Sequence, residues 1–310
     1  TALNNILTSI RQTIGSANID LGSETVIKDI VTPYFTVPQN AGAIRLSTAA
    51  YNGSAFGAPV AANPSVTAAI DPATRAVNVT GFDFNQNYVT TNAKADGTFG
   101  KKLIIEFDVS VEAGFLGGNQ VPTNDGQSGI YAKGIMIKAF DVPTQDVEVK
   151  SITPTADDKT IYLGDSANLQ ELVHQNATFD GTNNAFVNVT YTVKDENGGT
   201  VGTYTVPAGS SSGIWEWSDA ASGGTVAPEQ TTTYTVTCTV SPTQSGTYES
   251  VSKDATFTIT VNTCSLTITK TVTGGGDPNQ TFVFNVMKGN DLVTTVVLKA
   301  GASTTITGLA

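Results

Sequence analysis

Residues 232–240 read Thr-Thr-Tyr-Thr-Val-Thr-Cys-Thr-Val. Tyr234, Val236, Cys238 and Val240 take one parity, and Thr233, Thr235, Thr237 and Thr239 take the other. Successive side chains of an extended chain point to opposite faces, so this alternation makes a strand with one apolar and one wet side. A helix, with its period of 3.6, would scatter the same apolar residues around its whole circumference. Phe257, Ile259 and Val261 repeat the pattern against Thr256, Thr258 and Thr260. Thr suits the wet side because its β-branch keeps strand propensity without adding much apolar surface.

Other segments follow the same rule. In 103–111 the odd positions are apolar, while Glu106, Asp108 and Ser110 face outward. Residues 81–85 and 134–140 are further strand expectations, and 117–126, rich in Gly, Asn and Pro, reads as a turn. Pro143-Thr144-Gln145 reads as a short extended linker. Beyond it, strands are expected at 147–152, 160–163, 186–193, 201–206, 213–217, 232–240 and 255–261. Asn197-Gly198 marks a hairpin turn among them. About seven short strands in roughly 115 residues is the count of an immunoglobulin-like sandwich.

The chain thus divides into four parts. Residues 1–17 carry Leu3, Ile6, Leu7, Ile10 and Ile14 at helical spacing, and are expected to be a helix left from a preceding domain. Residues 18–143 and 144–262 are two β-sandwich units with independent cores. Residues 263–310 are a third, incomplete one, with strands at 266–272, 281–287, 293–298 and 304–306. The fold class is all-β, tandem Ig-like β-sandwich domains with a short N-terminal helix.

Composition narrows function. Of 310 residues only 14% are charged, the net charge is -11, and there is one His. An acidic chain without a basic cluster is a poor partner for nucleic acid. No apolar run approaches the roughly 20 residues of a membrane helix, so no membrane insertion is expected. A lone His and two Cys do not make a structural zinc site, and no carboxylate spacing matches a calcium loop. His174 has no Ser or Cys at a triad spacing. No metal, cofactor or catalytic residue is expected, and a structural or adhesive role is favoured over an enzymatic one.

Three segments carry a resemblance. Residues 1–38, with the expected helix followed by Thr25-Val26-Ile27-Lys28-Asp29-Ile30-Val31 and Tyr34-Phe35, resemble the region after a von Willebrand factor A domain in Gram-positive surface adhesins and pilus tip proteins. Residues 100–103 and 114–124, with Gly117-Gly118-Asn119 and Val121-Pro122-Thr123-Asn124, are similar to a block of the same proteins. Residues 266–272, Phe282, Phe284 and 305–309 resemble the start of a Cna-B-type stalk domain of pilins. The resemblance implies an extracellular, cell-wall-anchored stalk that presents an adhesive tip. It would act with neighbouring domains of the same surface protein toward a host glycan or protein ligand that the sequence does not name.

Lys270 shares strand parity with Leu266, Ile268 and Val272, and a Lys on an apolar face is costly without a partner. It either snorkels to the rim of a thin sheet or, as the resemblance implies, is an isopeptide candidate. Its Asn and Glu partners would lie beyond residue 310, so no cross-link is expected in this chain. Lys28, beside Asp29, is a second isopeptide candidate. Cys238 is on the buried parity, either as a small free hydrophobe or in a disulfide with Cys264. Trp215 and Trp217 share one strand face, either as core residues or as a ligand-stacking pair. That pair carries the rival reading, a carbohydrate-binding module.

Overall fold

A computed structural model describes residues 21–22, 24–150, 152–175 and 184–310. The expected helix over 1–17 lies outside the described residues.

The first unit is two facing sheets. Five strands, β1 (Val26–Ile30), β4 (Thr67–Asp71), β5 (Ala76–Thr80), β8 (Gly129–Ala132) and β9 (Ile135–Ala139), are ordered β4-β5-β1-β8-β9. Three more, β2 (Arg45–Ala50), β3 (Val60–Ala61) and β6 (Lys101–Glu106), are ordered β3-β2-β6. Ile27, Val77, Val79, Leu103 and Ile130 meet between them, with Phe82 and Phe84 edge-to-face at 4.9 Å.

Two strand expectations change here. Residues 81–85 are no strand, because Phe84–Asn87 is a single helical turn whose N-cap Asp83 accepts from the Gln86 N–H. The strand at 103–111 stops at Glu106, after which the chain changes partners: Phe35 bridges Val111, and the Thr36 N–H donates to the Ser110 carbonyl. Alternation continues through 107–111 although the sheet does not, since pairing, not pattern, ends a strand.

In the second unit a six-stranded sheet is built from β12 (Lys159–Tyr162), β15 (Val187–Lys194), β16 (Thr200–Val206), β17 (Ile214–Trp217), β19 (Thr232–Pro242) and β20 (Val251–Asn262). Its order is β12-β20-β19-β15-β16-β17, and β12 runs parallel to β20. The Thr face lies outward as the alternation requires. Cross-strand hydroxyl pairs tie it together: Thr190–Thr205 at 3.3 Å, Thr233–Thr258 at 3.2 Å and Thr239–Ser252 at 2.8 Å. The inward parity, Val189, Tyr191, Val193, Val236, Cys238, Phe257 and Ile259, is buried.

The layer covering that inward face is unusual. Part of it is local: the short pairs β11 (Thr155–Ala156) with β14 (Val173–His174), and β13 (Ala167–Asn168) with β18 (Thr225–Val226). The rest comes from the first unit, whose Val31, Tyr34, Phe35, Phe115, Leu116 and Val121 join the same continuous core. The first unit's two sheets thus keep a cluster of their own, and the expectation of independent cores is corrected for Val31, Tyr34, Phe35, Phe115, Leu116 and Val121, which join the second unit's core. A six-stranded sheet has more apolar face than two dipeptide pairs can cover, and the first unit supplies the remaining cover.

Residues 264–309 form two separate hairpin-like pairs, β21 (Cys264–Thr269) with β24 (Ser303–Leu309), and β22 (Thr281–Lys288) with β23 (Asp291–Lys299). Leu298 is buried, whereas Val283, Leu292, Val293 and Val297 are exposed. Two-stranded sheets of this size bury little and are marginal by themselves.

Candidate functional site

The joint between the first two units holds the densest set of cross-unit contacts. Its central strand is β7 (Gly118–Pro122), which falls inside the stretch expected to be a turn. Gly and Asn there serve close approach and not chain reversal. β7 pairs antiparallel with β10 (Thr144–Val147), which takes in Thr144 and Gln145 of the expected linker, through Thr144–Pro122, Gln145–Val121 and Val147–Gly118. The pairing is extended at both ends, where the Thr123 N–H donates to the Pro143 carbonyl (2.9 Å) and the Lys150 N–H donates to the Leu116 carbonyl (3.0 Å). In place of the strand expected at 147–152, the strand here runs over Thr144–Val147 and belongs to the joint.

The other side of β7 meets the second unit. Asn119 bridges Glu249 through the Glu249 N–H to the Asn119 carbonyl, 2.9 Å, and the Gln120 side-chain amide donates to the Glu249 carboxylate at 2.7 Å. Gln120 has φ +55°, a left-handed conformation that costs a non-glycine residue energy and is held here by its N–H on the Asp146 carboxylate at 2.8 Å. Beneath lies an aromatic cluster. The Tyr34 ring is 5.0 Å from Phe115, 5.5 Å from Phe186 and 5.2 Å from Tyr248, with the last two edge-on. Burial pushes the phenols of Tyr34 and Tyr248 up, and the Tyr248 hydroxyl donates to the Phe186 carbonyl at 3.4 Å.

The Trp pair sits at β17, the edge of the six-stranded sheet. Trp215 is opposite Tyr204 and Trp217 is opposite Gly202. Tyr204 is in turn opposite Tyr191, so this is the core-facing side. The two indoles stack with centroids 4.5 Å apart and planes 8° apart, and Tyr204 lies 5.3 Å from Trp215. The Trp217 ring rests on Gly202 and Gly224, where an added Cβ would come within 2.3 and 2.4 Å of it. The rings spend their faces on each other and on the core, which is the arrangement of an edge cap.

Neither Lys occupies a buried reaction centre. Lys270 falls just after β21, its backbone pairs with Ala302 and Gly301, and its Nζ lies 4.4 Å from the Phe282 ring centroid. Lys28 is on the outer side of β1, opposite Asn78, with Nζ 4.6 Å from the Tyr131 ring centroid. Asp29 takes the inward side instead. Burial pushes its carboxyl up against the opposing pull of the Ser128 hydroxyl, and its Oδ1 has no hydrogen-bond partner among the described residues.

The disulfide alternative is corrected: both cysteines are free, Cys238 buried and Cys264 exposed. Register explains it, since Cys238 is opposite Lys253 in β20 whereas Cys264 begins β21 in another sheet. Burial pushes the Cys238 thiol up to about 12, although the Tyr191 hydroxyl and Lys253 pull the other way.

Sequence reasoning passed over two residues. Lys253 shares parity with Val251, Ala255, Phe257 and Ile259, the signal used for Lys270, and its Nζ donates to the Val149 carbonyl at 3.4 Å. Arg75, at φ +59°, donates from its guanidinium to the carbonyls of Val31, Thr32 and Phe35. It holds the turn that delivers Tyr34 and Phe35 to the joint, and no local pattern announces it. His174 Nε2 contacts the Asp157 carboxylate at 2.9 Å, both exposed.

No protein-family model matches the chain, and no curated protein sequence matches it. Among solved structures, it is similar to the N-terminal four Ig domains of Dscam1 isoform 4.4, at 13% identity and a TM-score of 0.23, over 84% of this chain and 54% of that one. It is also similar to the BSP domain of a biofilm associated protein, at 14% identity and a TM-score of 0.20, over 94% of this chain and 56% of that one. The chain therefore spans about half the length of each.

Proposed function

We propose that this chain is the stalk region of a bacterial cell-surface adhesin or pilin, lying outside the cell and linked to the wall, with an adhesive tip domain carried beyond it. One observation carries the reading: the expected linker, 143–145, runs into a paired strand, Thr144–Val147, beside a core to which both units contribute. Domains strung on flexible linkers take up many relative orientations, whereas a continuous core holds one, as a spacer requires. The outward face of the six-stranded sheet is mostly Thr, with Lys194, Glu216 and Asp254 the charges among them, which suits an exposed surface that stays soluble with little charge.

In the same reading, residues 263–310 belong to a Cna-B-type domain of a Gram-positive protein, and Lys270 becomes its cross-linking amine when a strand bearing Asn and Glu is present. Surface digestion of intact cells that express the full-length protein tests the assignment. Peptides from 21–310 should be released without lysis, and deletion of this region should reduce cell adhesion while the isolated tip still binds. Recovery of the peptides only after lysis contradicts it.

A further inference from the structure

The chain crosses between its first two units once, through residues 140–150, and that crossing is not free. Over eight residues it is hydrogen-bonded at Pro143, through the β7–β10 pairs, and again at Lys150. β7 is itself fastened on both sides. Toward the first unit, the Thr32 N–H donates to the Thr123 carbonyl and the Asp125 N–H to the Ile30 carbonyl. Toward the second, β7 bridges at Asn119–Glu249, and Phe115, Leu116 and Val121 are buried in the second unit's core.

We propose that this joint is a tension-bearing lock, so that load along the chain is borne by β10 sliding against β7 and the first two units resist and yield as one body. Pulling the units apart draws β10 along its own axis. Antiparallel ladder bonds lie perpendicular to the strands, so they are loaded together and do not open one after another from an end. The aromatic cluster of Tyr34, Phe115, Phe186 and Tyr248 must be exposed in the same movement, which adds the loss of buried apolar area. The lock rests on the stalk reading for its biological use and on the joint alone for its physics.

Single-molecule extension of the full chain, held by tags at its two ends, tests it. Residues 21–262 should unfold in one event that releases roughly 80 nm, at ~3.4 Å for each of roughly 240 residues. Residues 263–310 should yield earlier and separately. In the Tyr34→Ala chain the single event should split into two, each about half as long. Two half-length events in the unaltered chain overturn the lock whether or not the variant folds. If those traces came with intact surface display, the lock would fall and the stalk reading would stand.

Discussion

Gly118 in the first unit lies directly against the ring of Tyr248 in the second: a Cβ added at Gly118 would stand 2.7 Å from a ring carbon. The two residues are far apart in the chain, yet no side chain fits between them. Gly118 is therefore required by contact across the joint and not by backbone freedom.

Gly118→Val should wedge the units apart. Overpacking of a tight contact costs about 1–3 kcal/mol, and because the core is shared, the loss should lower the stability of both units together. Urea unfolding of the variant, followed by tryptophan fluorescence in the second unit and by amide exchange in the first, reads this directly. A variant as stable as the parent would show that the contact is slack.

Trp217→Ala should cost stability and leave glycan binding as it was. The ring caps Gly202 and Gly224 and stacks on Trp215. Removing a large aromatic from a packed site costs about 3–5 kcal/mol when fully buried, and this half-exposed ring should fall at or below the lower end. A glycan array with both proteins checks the second half. Binding by the parent that vanishes in a stably folded variant would revive the carbohydrate-binding reading.

Much of this was legible in alternation. The strands at 187–194, 200–206, 232–242 and 251–262 follow from period two, because one face of each is buried and the other is wet. The joint was not legible. Gly117-Gly118-Asn119 carries the same residues as a turn, and Gly is chosen equally where a chain reverses and where another chain comes close. Val121 and Val147 show no pattern of their own, since each strand is too short to display a period. Arg75 acts on carbonyls more than forty positions away in sequence, and the donors of a guanidinium leave no mark on the residues that accept them.

Cysteine labelling should distinguish the two thiols. Cys264 is exposed, while Cys238 is buried with its thiol pushed up to about 12, so it holds almost no thiolate at neutral pH. Iodoacetamide should add one group to the native chain at Cys264, and a second only in denaturant. Rapid native labelling of Cys238, or a native mass two hydrogens short, would contradict the arrangement.

Asp29 gives a pH signature. Its folded carboxyl is raised above the ordinary value of 3.8 by burial. The folded state therefore binds the proton more tightly than the unfolded one, and stability is lost as pH rises from the unfolded value through the folded one. Asp29→Asn removes the charge and should stabilise the chain at pH 7 by on the order of 1–3 kcal/mol, the scale of an unpaired buried polar group. The gain should shrink toward pH 3, where the native carboxyl is neutral in both states. An advantage that is constant across this range would mean that packing, not ionisation, is responsible.

The most direct test of the shared core is amide exchange against urea concentration, read peptide by peptide in the full chain. Strands β5 and β8 belong to the first unit's sheet and β15 and β19 to the second unit's. β5 and β8 pack in the first unit's own cluster, so coupling through the joint predicts that all four lose protection at one urea midpoint, with β22 and β23 open well below it. Protection lost from β5 and β8 at clearly lower urea than from β15 and β19 would contradict it, and would return the chain to two independent domains on a linker.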